Sequence, residues 1–197
     1  MDYTALYRQI RSELGMKRRA HSDSVVRVME RLAVRFALPF EAARFAGIGH
    51  DLAREWKDDD IRKLVRDDGT FTMSEEEKKQ PMLMHGAAAA ILIRDMLPDE
   101  FPHTNAVMLA IRWHTVGSLA MGSLGYALFV SDYIEELRVH ISPSRKRYIE
   151  ELESLELMVL QILRNQIAYL ESRDITVHTE TRELIAHLEQ VSGGDSP

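Results

Sequence analysis

"SDSVVRVMERLAVRFAL", residues Ser22 to Leu38, sets Val25, Met29, Leu32 and Phe36 at steps of four and three. That spacing lines one face of an α-helix, so the stretch predicts a helix with an apolar stripe turned to a core. The same periodicity continues on both sides of it. Further helices are expected at residues 2–14, 40–53, 59–67, 82–97, 104–114, 123–140, 144–172 and 179–191. Pro39, Gly69, Pro81, Pro98, Pro102 and Pro143 fall between periodic segments, where they interrupt a helix least expensively. Strand-like alternation is nearly absent, so the expected fold class is all-α. "SEEE", Ser74 to Glu77, reads as a capping box that opens one more short turn before Pro81. The acidic stretches Asp58 to Asp60 and Glu75 to Glu77 read as solvated faces, not as ligand sets.

Toward the C-terminus, Tyr148, Leu152, Leu155, Val159, Ile162, Gln166 and Tyr169 continue the steps of four and three, and Leu160, Leu163, Ile167 and Leu170 widen the stripe. Such a stripe is too wide for a strict coiled-coil seam. Docking on the chain's own core is therefore favoured, with a homodimer left open. The expected organisation is one helical bundle over residues 1–191, its helices at 144–191 packed on the rest, followed by a disordered tail at 192–197 ("SGGDSP").

Composition narrows the function classes. A chain of 197 residues, 45% hydrophobic and 28% charged, suits an ordinary globular domain. Its net charge of −6 argues against a binder of nucleic acid polymers, which need clustered cations to neutralise many phosphates. No apolar run reaches the roughly 18 residues needed to span a membrane, and the start "MDYTALYRQIRSELG" lacks the basic-then-apolar plan of a signal peptide, so the cytoplasm is the expected location. Without cysteine, any metal must be held by nitrogen and oxygen.

Five helices nevertheless aim polar groups at the core. His21 lies four residues before Val25, and His50, followed at once by Asp51, continues Ala43, Ala46 and Gly47. His85 heads Ala88, Ala89, Leu92 and Met96, His114 closes Val107, Ala110 and Ile111, and Asp132 follows Leu128 and Phe129. A lone inward histidine is most often a hydrogen-bonded core residue. Six such groups, each costing roughly a few kcal/mol if left unsatisfied, are most simply reconciled by a shared metal centre. His103, His140 and His187 read as surface residues, and His178, at a helix start, as a local cap.

The ordered set His21, His50-Asp51, His85, His114 and Asp132 resembles the HD-domain phosphohydrolases. The extra pair His85 and His114 resembles the subgroup with two metal ions, and within it the YqeK-type symmetrical diadenosine tetraphosphatases. The matching words are "AHSDSVV", "GIGHDLAR", "HGAAAA", "AIRWHT", "SDYIEELR" and "VHTETRELIAHL", spread over roughly residues 5 to 190. Arg54 stands where the family usually carries lysine, "SDYIE" replaces a commoner alanine-led version, and "VGSLAMGSLG" after His114 keeps little of the usual wording.

The resemblance implies two transition-metal ions. Nitrogen and oxygen ligands suit iron, manganese or zinc alike, and the family favours iron. It implies one ion on His21, His50, Asp51 and Asp132 and another on His85, His114 and a bridging oxygen of Asp51. A hydroxide shared by the ions would be the nucleophile. Two divalent ions outweigh two carboxylates, so a polyphosphate is attracted despite the acidic chain. Asp51 and Arg54 are the expected catalytic pair, and Arg54, Thr115 and Arg138 the expected phosphate contacts. The implied reaction is symmetrical hydrolysis of diadenosine tetraphosphate, or another dinucleoside polyphosphate, to two nucleoside diphosphates. The alternatives are another HD-group nucleotide phosphohydrolase, acting on guanosine tetraphosphate, a deoxynucleotide or a phosphate monoester, and a non-catalytic nucleotide-sensing helical module.

Overall fold

The computed structural model describes residues 2–193, and among these there are helices and no strands. The α-helices are α1 (Thr4–Glu13), α2 (Met16–Arg35), α3 (Phe40–Gly49), α4 (Asp58–Asp68), α5 (Glu75–Lys79), α6 (His85–Met96), α7 (Thr104–Trp113), α8 (Gly122–Ile134), α9 (Pro143–Glu150), α10 (Leu155–Glu171) and α11 (Thr179–Gly193). Short 3₁₀ turns at Pro81–Met84 and Leu119–Met121 lead into α6 and α8. None of the described helices is long and apolar enough to cross a membrane.

α3 is the hub. Its residues Ala42, Ala43 and Phe45 to Gly49 are all buried, against α2 on one side and α6, α7 and α8 on the others. Small residues make the approach close: a Cβ on Gly47 would stand 2.9 Å from Val26 Cγ2. α8 is buried from Leu124 through Ser131 because α2, α3, α7 and α10 surround it, and α11 in turn packs on α10. Side chains pointing inward from α2, α3, α6, α7 and α8 therefore converge.

Several helices end earlier than periodicity predicts, each for a local reason. The helix expected at 40–53 stops at Gly49, where the His50 ring donates to the Gly47 carbonyl at 2.8 Å and the chain turns. The helix expected at 123–140 stops at Ile134: Glu135 turns its carboxylate inward, accepts from the Leu137 N–H at 2.6 Å, and its carbonyl is taken by Lys146 Nζ. The long helix expected at 144–172 is two, α9 and α10. Ser154 caps α10 by accepting from the Leu157 N–H at 3.2 Å, and Arg35 donates to the Leu152 carbonyl at 2.6 Å. Tyr148 and Tyr169, read as stripe residues, are consequently exposed.

The capping box at Ser74 and Glu77 forms as expected. Glu77 does not lie on a solvated face, however: it is buried 2.6 Å from the equally buried Arg112. α11 runs on to Gly193, so Ser192 and Gly193 belong to a helix and not to a tail; the remainder of the expected tail, 194–197, lies outside the described residues.

Candidate metal centre

Helix ends deliver most of the inward groups. His50 and His114 follow the last turns of α3 and α7, His85 opens α6, Asp132 sits in the last turn of α8, and only His21 comes from a helix interior. All four histidines and Asp51 are buried and Asp132 is nearly so. Three of the imidazoles are fixed by the same device. His50, His85 and His114 each donate Nδ1–H to the carbonyl three residues earlier, at 2.8, 2.6 and 2.7 Å. A carbonyl only accepts, so the proton lies on Nδ1 and the lone pair on Nε2.

Those lone pairs meet. His85 Nε2 lies 3.1 Å from His114 Nε2, and His50 Nε2 lies 3.2 Å from His21 Nε2. Asp51 stands between the pairs. Its Oδ2 is 3.7 Å from His50 Nε2 and 3.8 Å from His21 Nε2, while Oδ1 is 3.4 Å from His85 Nε2 and 3.9 Å from His114 Nε2. Asp132 Oδ1 joins the first pair, 3.0 Å from His21 Nε2 and 4.0 Å from His50 Nε2. The donor atoms of His21, His50 and Asp132 lie within 4.8 Å of one another, as do those of His50, Asp51 and His114.

This donor set fits a metal. Two imidazole lone pairs facing each other in a dry site repel unless a cation stands between them. At His21 a proton can take that place. Burial opposes the charge, yet hydrogen bonds to Asp132 and Glu135 outweigh it and raise the ring to about 9. The other pair has no such relief: burial, then the neighbouring His85 and His50 rings, push His114 down to about 3. Burial likewise lowers His50. Asp51 and Asp132 are driven well below the ordinary carboxylate range, since the surrounding imidazoles outweigh a burial that by itself would raise them.

Close helix contact sets the second pair's spacing. A Cβ on Gly86, next to His85, would come within 2.8 Å of the carbonyl oxygens of both Ile111 and Arg112 on α7. That Ile111 carbonyl is the one holding His114.

A cavity of about 700 Å³ opens over the cluster. Arg54 and Thr115 are on its wall, with Thr115 Oγ1 3.2 Å from His114 Nε2. Arg138 also reaches it, from the turn after α8 and not from within a helix. Its Nε donates to the Asp132 carbonyl at 3.0 Å and its Nη2 to Asp132 Oδ1 at 2.6 Å, so it orients a carboxylate as well as facing the cavity. His103 and His187 lie away from the cluster; His140 is exposed, but on the cavity wall. His178 caps α11 through Nδ1, which accepts from the Glu180 N–H at 3.2 Å, and its ring is also buried against Ser74.

Two residues escaped the reading of the sequence. Arg18, one turn before His21 on α2, places Nη1 2.9 Å from Asp51 Oδ2. Glu135, buried, accepts from His21 Nδ1 at 3.3 Å and fixes that ring as backbone carbonyls fix the other three. The i to i+3 spacing of Arg18 to His21, and of Asp132 to Glu135, was the signal available for both.

No family model matches the chain. It is 24% identical over 172 residues to the symmetrical bis(5'-nucleosyl)-tetraphosphatase of Bacillus subtilis (strain 168), covering 87% of this chain and 89% of that one. The protein of the same description from Staphylococcus aureus (strain NCTC 8325 / PS 47) is 25% identical over 178 residues, 88% of each chain. A crystal structure described as a "predicted HD superfamily hydrolase involved in NAD metabolism", from Clostridium acetobutylicum, matches with a TM-score of 0.82 and 27% identity, over 96% of this chain and 98% of that one. The chain thus resembles HD-type hydrolases along nearly its whole length, and its all-α architecture is theirs.

Proposed function

We propose that this chain is a metal-dependent phosphohydrolase that cleaves dinucleoside polyphosphates, with diadenosine tetraphosphate cut symmetrically to two ADP. The observation that carries the reading is the placement of Asp51, one carboxylate oxygen toward His21 and His50 and the other toward His85 and His114. It supports two ions, one that His21, His50, Asp51 and Asp132 would hold and one that His85, His114 and Asp51 would hold. Bound there, such ions would supply an activated solvent nucleophile and neutralise phosphate charge. Iron is the metal that the resemblance favours.

The chain's own groups hold the substrate around that centre. Arg54 forms no ion pair among the described residues, in contrast to Arg18 and Arg138, and its free guanidinium suits the non-reacting phosphate oxygens. Arg138, through the nitrogen not given to Asp132, and the Thr115 hydroxyl contribute further donors. Tyr133 together with the amides of Asn165 and Gln166, which also line the cavity, suits a nucleoside, an aromatic face with donors and acceptors beside it. Water adds to a central phosphorus, the bond to the bridging oxygen opposite breaks, and each half leaves as ADP.

Chromatography of the initial products tests this. Two ADP, with one oxygen from labelled water in one of them, is the expected result. Early AMP plus ATP would refute the symmetrical cut, and pyrophosphate released from guanosine tetraphosphate without cleavage of the dinucleotide would refute the substrate class.

A further inference from the structure

A second cavity, of about 310 Å³, adjoins the first and shares three of its walls: Arg18, Arg54 and His85. Beyond those residues it is lined by Trp56, Asp58, Ile61 and Met82. Trp56 is 41% exposed and Met82 59%, two large apolar side chains held at the surface beside a cationic wall. Apolar faces next to guanidinium groups suit a ligand that is flat and apolar at one end and anionic at the other, which is the chemistry of a nucleotide. The third cavity near the metal centre, between α10 and α11, has exposed apolar side chains of its own, Tyr169 and Ile175, but no cationic wall beside them. It has no arginine on its wall, and two of its polar groups, His178 and Thr181, are engaged in internal hydrogen bonds.

We propose that Trp56 and Met82 form the platform for the second nucleobase of a dinucleoside polyphosphate, with Arg18 and Arg54 bearing the phosphates that join it to the metal centre. This rests on the hydrolase reading above and adds the subsite that a two-ended substrate requires. With one nucleoside against Tyr133 and the amides of α10 and the other on Trp56, the middle of the phosphate chain lies at Arg18, Arg54 and His85, the residues common to both cavities. A cut at the midpoint then follows from holding both ends. Asp58, an acceptor in the same cavity, suits the ribose hydroxyls.

The chain has two tryptophans, so Trp113→Phe leaves Trp56 as the sole indole reporter. A non-hydrolysable methylene-bridged diadenosine tetraphosphate should quench its fluorescence saturably, and adenosine tetraphosphate, which has one base, should quench it far less at equal occupancy. In the otherwise unaltered, metal-loaded protein, Trp56→Ala should raise the KM for diadenosine tetraphosphate about 5- to 150-fold, the scale of losing one base stack, and raise its ratio to the KM for adenosine tetraphosphate by the same factor. Trp56→Phe should restore most of the loss. Equal quenching by the two ligands, or an unchanged KM ratio in Trp56→Ala, overturns the subsite and leaves the hydrolase reading standing. Selective quenching by the dinucleotide analogue without turnover of either substrate supports the subsite and overturns the hydrolase reading.

Discussion

Asp51 faces two histidine pairs at once, which makes it the side chain with the most to lose on substitution. Asp51→Asn should lower kcat by about 10²- to 10³-fold or more and reduce bound metal, measured by product formation and elemental analysis on one preparation. His103→Ala should stay near wild type in both assays; equal losses would show that the cluster does not carry the activity. Arg54→Ala should lower kcat/KM about 10- to 100-fold, roughly 1.4–2.7 kcal/mol, with little change in melting temperature, and Arg54→Lys should recover much of it. The inward histidines and aspartates were legible in the sequence because each continues an apolar stripe, a place where a polar group needs a reason. Arg18 and Glu135 were not. They sit in "KRR" and "EEL", runs that normally coat a surface, and only the fold shows that one member of each turns in. His140 was read as a bystander for the same reason, its place on the cavity wall being set by the turn after α8.

α5, five residues long, ties α7 to α11. Its Glu77 pairs with Arg112 of α7, and its cap Ser74 bonds His178, at the start of α11. The first residues of α11 in turn hold the loop after His114: Thr181 Oγ1 donates to the Val116 carbonyl at 2.6 Å, and Glu180 accepts from Ser118 at 2.5 Å. Breaking the buried ion pair from one side strands a charge. Arg112→Met should therefore destabilise by about 3–5 kcal/mol, a fall in melting temperature of roughly 6–20 °C, whereas adding Glu77→Gln should recover much of it because Gln keeps the cap on Ser74 and removes the stranded carboxylate. Thermal unfolding of the two variants decides the matter, and equal melting points would show that the pair is not a tether. Helix existence was legible throughout this region, helix boundaries less so. The stripe from Tyr148 to Tyr169 keeps its phase across Glu151 to Ser154, and the break there comes from side-chain caps and from Arg35, a residue more than a hundred positions away.

At the scale of the whole molecule, five helices end or pass at one point, so the site is also where the bundle closes. If two ions bind there, protein isolated without chelator should hold two first-row metals per chain, and stripping them should lower the melting temperature while far-UV helicity persists below the transition. Retention of the full melting temperature after complete metal loss would return the inward histidines to ordinary core residues. The spacing of the second pair adds a sharper test. Gly86→Ala would press a methyl group against the Ile111 and Arg112 carbonyls and part α6 from α7 by a few tenths of an ångström, so bound metal should fall from two ions toward one while the His21 and His50 half keeps its own. The gauge that separates His85 from His114 is thus a hydrogen atom where every other residue has a carbon, and a side chain with no chemistry of its own fixes what the reactive ones can hold between them.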